Sequence, residues 1–100
     1  MPLTRHRWPF TARLVADAPD SPGVFALWQD KELIYIGHAK GPGGLAKVLK
    51  DHLEGKHSCT RAATHYTWEI AMAPEERERQ VLAEYYQERK AFPRCNRREA

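Results

Sequence analysis

Long hydrophobic runs are absent from this sequence. The longest unbroken apolar stretch is five residues, 24–28, whereas a membrane-spanning helix needs about 20 apolar residues in a row. The same stretch is too short for the hydrophobic centre of a secretory signal peptide. The chain is therefore predicted to lack membrane segments and an export signal, and the expected compartment is the cytoplasm.

Cysteine is scarce, and the two that occur, Cys59 and Cys95, cannot build a disulfide-rich scaffold. A zinc site could be imagined from His57, Cys59, His65 and Cys95. Structural zinc sites usually contain pairs of ligands separated by short gaps, and this set has no such pairs. In a cytoplasmic protein the two thiols are predicted to be reduced and to have no role in the chemistry.

A strong excess of one charge is also missing. Sixteen Lys and Arg face thirteen Asp and Glu, for a net charge of +3, and 42% of the residues are hydrophobic. These values exclude a disordered tail and suit one small globular domain in 100 residues. The basic residues gather near both ends, which favours a polyanionic partner only weakly, and two solvated termini remain the alternative. They are Arg5, Arg7, Arg13, Arg89, Lys90, Arg94, Arg97 and Arg98.

Two β-rich segments around a short polar turn predict a hairpin over residues 23–28 and 32–37. Both segments are apolar on both faces, so the hairpin should be covered on both sides. An i, i+3, i+4 pattern predicts an amphipathic helix over 45–53. A third strand is predicted over 66–71, and a second helix from Pro74 until Phe92-Pro93.

The predicted fold class is therefore α+β, a small three-stranded antiparallel sheet flanked by helices in the order β-β-α-β-α. Residues 1–20 contain three prolines and are predicted to be an extension that packs on the core through Trp8 and Phe10. The compact domain is predicted to span 21–100.

Two tripeptides on the hairpin carry a family resemblance. Gly23-Val24-Phe25 and Tyr35-Ile36-Gly37 resemble the paired motifs that name the GIY-YIG nucleases. A glycine-rich loop before the first helix, a glutamate on the last helix and the closing Pro93-Arg94-Cys95-Asn96 strengthen the resemblance, which covers residues 22–96. It implies the GIY-YIG fold and a metal-dependent endonuclease acting on a nucleic-acid backbone.

The resemblance also implies roles for individual residues. Tyr35 matches the tyrosine of the second motif, His52 the histidine or tyrosine of the first helix, Glu84 the metal-binding glutamate, and Asn96 the terminal asparagine. His38 and Lys40 are the basic groups nearest a lysine found just past the second motif in some members. Two positions depart from the pattern, because Phe25 stands for a tyrosine and Val48 for an arginine.

Phosphodiester cleavage requires residues that bind a cation, transfer a proton and contact phosphate. A hard cation, Mg²⁺ or Mn²⁺, held weakly at Glu84 would orient the phosphate. Tyr35 and His52 would handle the proton and position the phosphate, with His38 as a further catalytic group. Lys40, Arg94 and Arg97 are predicted to bind the nucleic-acid backbone. Taken singly, Tyr35 and His52 could be ordinary core residues, and Glu84 an ordinary surface glutamate.

Three functions remain open from the sequence. The first is a metal-dependent endonuclease, slowed by the missing Tyr hydroxyl and Arg guanidinium, with DNA as the expected partner. The second is an inactive nucleic-acid-binding module on the same fold, and the third is a protein-interaction domain. Sequence specificity would have to come from a protein partner, a homodimer or the loops.

Overall fold

The elements of the fold follow the predicted order from residue 23 onward. In a computed structural model, which describes residues 6–96, strands β2 and β3 are followed by helix α2, strand β4 and helix α3. Their bounds are Gly23–Gln29, Glu32–Ala39, Gly44–Leu53, His65–Ile70 and Pro74–Arg89. A short 3-10 helix, Ser58–Ala62, precedes β4, and the N-terminal part adds strand β1, Trp8–Pro9, and helix α1, Ala12–Ala16.

The sheet has four strands in the order β1-β4-β2-β3, and its neighbouring strands are antiparallel. The prediction of three strands is thus corrected, because Trp8 and Pro9 pair with Tyr66 and His65 at the β4 edge. A two-residue strand beside a proline has no alternating pattern that a sequence could display. The α+β class and the central hairpin are confirmed.

Apolar side chains cover both faces of the hairpin. One face holds what we call the α2-side cluster, which includes Phe25, Leu27, Ile34, Leu45, Leu49 and Tyr66. The other holds the α3-side cluster of Val24, Ala26, Trp28, Leu33, Ile36 and Val81. Alternate residues of β2 enter opposite clusters, as the period of two in a strand requires. Phe10 and Val15 of the N-terminal part belong to the α2-side cluster, while the domain boundary after residue 20 stays a prediction.

Backbone carbonyls of the loop before β2 cap the first turn of α2. Leu45 donates its backbone N–H to the Ser21 carbonyl (3.0 Å) and Ala46 to that of Pro19 (2.9 Å), which satisfies donors that a helix start leaves unpaired. Gly44 has a φ of 50°, and a Cβ there would collide with the Asp20 and Ser21 carbonyls. Only glycine therefore allows this close approach, which holds α2 in place.

Cys59 and Cys95 form a disulfide, with Cα atoms 5.6 Å apart, which corrects the prediction of two reduced thiols. It connects the 3-10 helix to the segment after α3, and both sulfurs are thereby removed from any zinc site. The spacing of 36 residues gave no hint of the pairing, because only the fold brings these segments together. Among residues 6–96 there is no group of three or more side chains able to share a metal.

No helix within residues 6–96 has the length and apolar character needed to cross a membrane.

Reduction of the Cys59–Cys95 bond should destabilise the protein. Closing a loop of this length, 36 residues, lowers the entropy of the unfolded chain by an amount equivalent to about 3–4 kcal/mol. We expect a reductant to lower the melting temperature by roughly 10–20 °C. The Cys59→Ser/Cys95→Ser double variant should melt at the lower temperature with or without reductant. A wild-type melting temperature that stays unchanged while mass spectrometry shows both thiols free would contradict this account.

Candidate functional site

The hairpin places the two tripeptides side by side. Phe25 lies opposite Gly37 and Leu27 opposite Tyr35 in the β2–β3 register, so the Phe25 and Tyr35 side chains emerge on the same face. Their ring centroids are 5.9 Å apart. A Cβ on Gly37 would come within 2.7 Å of the Tyr35 ring and 2.8 Å of the Phe25 ring. Gly37 is therefore required for these two rings to lie over the strand.

Helix α2 adds His52 to this aromatic group. The His52 ring centroid lies 5.4 Å from that of Phe25 and 5.3 Å from that of Tyr35. His57 stacks on His52 with centroids 4.2 Å apart. Val48 lies one turn earlier on α2 and packs, partly buried, against the α2-side cluster. Tyr35, His52 and the two positions that depart from the family pattern thus share one face of the sheet.

Burial keeps His52 neutral. Its side chain is 4% exposed, and desolvation, helped by the charge of His57, lowers its pKa from 6.5 to about 4. The Thr60 hydroxyl donates to the His57 carbonyl at 3.2 Å and lies 2.8 Å from His52 Nδ1. Thr60 is therefore the hydrogen-bond partner of His52 Nδ1.

A pocket of about 440 Å³ opens at the outer side of β3, next to the aromatic group. Its lining consists of Tyr35, His38, Glu78, Leu82, Phe92 and Asn96. Strand β3 supplies Tyr35 and His38, helix α3 supplies Glu78 and Leu82, and the last segment supplies the other two. The pocket therefore joins three of the predicted catalytic residues to a carboxylate from α3.

Asn96 is held against the second tripeptide by two hydrogen bonds. Its Nδ2 donates to the Ile36 carbonyl and its Oδ1 accepts from the Ile36 N–H, each at 2.9 Å. Cys95 continues the pairing, with its backbone N–H donating to the Ile34 carbonyl at 2.8 Å. The side-chain amide takes the place of a neighbouring strand, so Asn96 orders the outer edge of β3 at the Tyr35-Ile36-Gly37 motif.

The other predicted site residues lie outside this group. Glu84 is an exposed residue of α3, a helix whose Val81 packs in the α3-side cluster, and it does not line the pocket with Tyr35. Its charge acts on Arg77, whose pKa is raised first by its hydrogen bond to Glu69 and further by the charges of Glu69 and Glu84. The role of Glu84 as a metal ligand stays a prediction.

The predicted phosphate-binding cations are engaged with carboxylates. Lys40 Nζ lies 3.0 Å from Glu75 Oε1, and this hydrogen bond lowers the pKa of Glu75. Arg94 contacts Glu32 at 3.4 Å and Gln29 at 2.6 Å, at the turn end of the hairpin. Arg97 lies outside the described residues. A nucleic acid would have to replace these exposed carboxylates, an exchange that costs little because surface ion pairs are weak.

Glu78 is the site residue that the sequence analysis missed. It comes three and four residues before Val81 and Leu82, so it extends the apolar stripe of α3 that faces the sheet. A glutamate on such a stripe was the available signal, because a carboxylate on a packed face needs a partner. That partner is His38, whose Nδ1 lies 3.2 Å from Glu78 Oε1.

The low pKa of His52 leads to a pH prediction. As the pH falls through 6.5, the unfolded chain protonates this imidazole, whereas the folded protein does so only near pH 4. The unfolded state therefore binds more protons in this window, and stability should fall on acidification. The contribution is up to about 3 kcal/mol at 1.36 kcal/mol per pKa unit.

Urea unfolding between pH 7 and 4 tests this. The variant His52→Leu should flatten the fall in the free energy of unfolding, whereas His65→Gln should retain it. An equal slope in His52→Leu and in the wild type would show that other groups cause the acid sensitivity.

Comparison with known proteins agrees with this architecture. The fold is similar to the GIY-YIG N-terminal endonuclease domain of UvrC from Thermotoga maritima, in the form of a tyrosine-to-phenylalanine point mutant bound to its catalytic divalent cation. The two chains are 23% identical, the match covers 83% of this chain and 90% of that one, and the TM-score is 0.60. The predicted GIY-YIG fold is thus confirmed.

Sequence comparison assigns the chain to a family. No curated protein matches it at a significant level. Residues 1–89 match a family described as a domain of unknown function, DUF7508. The match covers most of the 100 residues, so this GIY-YIG-fold chain belongs to the DUF7508 family.

Proposed function

We propose that this protein is a metal-dependent endonuclease-like domain that hydrolyses the phosphodiester backbone of nucleic acid, with DNA as the expected substrate. The observation that carries the proposal is the joint placement of Tyr35, His52 and Asn96. Two of them meet in one aromatic group, and the third orders the strand that carries Tyr35. The cation-bound UvrC domain of similar fold supports this assignment.

Each residue has a proposed role in that reaction. Tyr35 and His52 handle the proton and position the phosphate beside the pocket, and His38 acts from the pocket wall. Asn96 keeps the β3 edge in place. Lys40, Arg94 and Arg97 contact the backbone of the nucleic acid, from which such contacts release counterions.

Glu84 is the proposed ligand of Mg²⁺ or Mn²⁺. An exposed lone carboxylate fits a hard, hydrated cation, since it leaves most of the coordination shell to water and phosphate oxygens. When bound, such a cation would neutralise charge on the phosphate and orient it. A homodimer or a protein partner is the proposed source of sequence specificity.

A second function, an inactive nucleic-acid-binding module, is favoured by Phe25 and Val48. Phe25 has no hydroxyl, and its ring is 1% exposed. Val48 contributes an isopropyl group where a guanidinium would stabilise developing charge, and one such donor is worth about a hundred- to a thousandfold in rate. Phe25 lies in the aromatic group and Val48 lies one turn before His52 on α2, so both differences lie at the candidate site.

The endonuclease proposal predicts slow, cation-dependent nicking of supercoiled plasmid DNA. Glu84→Ala should abolish nicking with Mg²⁺ and with Mn²⁺, because the cation loses its proposed protein ligand. Glu88→Ala, one turn later on the same exposed part of α3, is the matched control and should nick like the wild type.

Binding to the same DNA separates the two candidate functions. Affinity that falls steeply with salt, in a protein that never nicks, would favour the binding module. Nicking that is undiminished in Glu84→Ala would overturn the metal assignment.

Restoring the two missing groups should accelerate cleavage. The double variant Phe25→Tyr/Val48→Arg returns a hydroxyl beside His52 and a cation one turn before it, and we expect a gain of at least tenfold in the nicking rate. The Phe25 ring is buried, so the new hydroxyl must find a partner within the group. Half-buried Val48 gives the arginine a route to solvent.

Melting temperature must be measured with the rate, because a buried unpaired charge would unfold the protein. Phe25→Tyr/Val48→Lys serves as a control, because lysine adds the same charge but lacks the planar guanidinium that can donate two parallel hydrogen bonds. A folded double variant that binds DNA but gains no activity would count against a weakened nuclease centre.

A further inference from the structure

His38 and Glu78 form a pair that is partly withdrawn from water, as Arg77 and Glu69 also are. His38 Nδ1 lies 3.2 Å from Glu78 Oε1, and the two side chains are 30% and 22% exposed. The neighbouring pairs Lys40–Glu75 and Arg79–Glu76 are at least 57% exposed on both sides. The His38–Glu78 contact is therefore partly withdrawn from water, where an electrostatic interaction has more effect.

The His38–Glu78 pair lies in the pocket of the candidate site. Both side chains line the pocket of about 440 Å³ that also contains Tyr35 and Asn96. His38 directly follows Gly37, the residue that makes room for the Phe25 and Tyr35 rings. The strand edge that carries His38 is the one that Asn96 orders through Ile36. The pair thus lies on the stretch of β3 that Gly37 and Asn96 organise.

A carboxylate at Nδ1 determines what the other ring nitrogen can do. The ionised carboxylate only accepts hydrogen bonds, so it selects the neutral tautomer in which Nδ1 has the hydrogen and Nε2 has the lone pair. Nε2 is then the ring nitrogen that can accept a proton. A carboxylate–histidine pair of this kind is the usual arrangement of a positioned general base.

We propose that Glu78 positions His38 as the general base of the pocket, the group that takes the proton from the attacking water. This rests on the proposed function and moves the first proton transfer from Tyr35 and His52 to His38, so that Tyr35 and His52 position the phosphate. The water oxygen forms a bond to phosphorus, and the bond from phosphorus to the leaving oxygen breaks. The proton of the water moves to His38 Nε2 and is later released to solvent, while the leaving oxygen takes a proton from solvent. In this scheme His38 is the catalytic residue and Glu78 the positioning residue.

The environment of His52 supports this division of roles. His52 is bonded to a neutral hydroxyl, that of Thr60, and its burial opposes the charged form. The nearest carboxylate in sequence, Asp51, is engaged with Lys47 and Lys56. His52 is therefore suited to position a group as a neutral ring, whereas His38 has the carboxylate that proton acceptance requires.

Ring ¹⁵N chemical shifts test the pairing without nucleic acid. At alkaline pH the wild-type protein should show His38 as the Nδ1–H tautomer. Glu78→Ala should move it to the Nε2–H form that free imidazole prefers, and Glu76→Ala, on the same helix but paired with Arg79, should leave it unchanged. A wild-type His38 in the Nε2–H form would overturn the pairing, whether or not the protein is a nuclease.

Cleavage kinetics test the role. Glu78→Gln keeps the size of the side chain and should lower kcat about tenfold with KM unchanged, whereas His38→Gln should lower it about a hundredfold. The double variant should lose no more than His38→Gln alone, because the two residues act as one unit. Glu76→Gln should match the wild type, and melting temperatures should show that all variants are folded.

Three results would overturn the role. In the first, kcat is unchanged in folded Glu78→Gln. In the second, the losses of the two single variants multiply in the double variant. In the third, the wild type cleaves no nucleic acid, in which case the role falls with the proposed function while the ¹⁵N result still decides the pairing.

Discussion

The register between β2 and β3 is the constraint on which the rest of this structure depends. Phe25 faces Gly37 across the pair, and an irregularity between Leu27 and Trp28 adds one residue to β3. That register sends Phe25 and Tyr35 to the α2 side and Ala26 and Ile36 to the α3 side. A shift by one residue would reverse every side chain and would place the aromatic group under the wrong helix.

One disulfide bond outside the sheet supports two parts of the candidate site. The Cys59–Cys95 bond joins the residue before Thr60 to the residue before Asn96. Thr60 is the hydrogen-bond partner of His52, and Asn96 completes the edge of β3. One covalent link therefore immobilises the supports of two groups on different elements. Such an arrangement suits a small domain, in which the hydrophobic core alone supplies limited stability.

The two histidines show how one residue type acquires different chemistry. His52 lies among aromatic rings, where water is excluded and the neutral form is favoured. His38 lies in an open pocket, with its Nδ1 3.2 Å from the Glu78 carboxylate. The contrast follows from their elements: α2 covers its face of the sheet, whereas within residues 6–96 the outer side of β3 lies beside the last segment and part of α3. The open edge is thus the place where a substrate can meet a group that exchanges protons.

The sequence by itself determined the hairpin and the helices α2 and α3, because these depend on short-range periodicity. The GIY-YIG fold was implied by the family resemblance that the two tripeptides carry. The family resemblance also indicated Tyr35, His52, Glu84 and Asn96 as a set, and their roles stay predictions. Only the tertiary structure decided that Cys59 reaches Cys95 and that Trp8 and Pro9 add a strand. The same is true of Glu78, which reaches His38 from α3 while Glu84 lies exposed on that helix. Each of these depends on how two segments distant in sequence are packed, and local pattern contains no information on the orientation of one packed element relative to another.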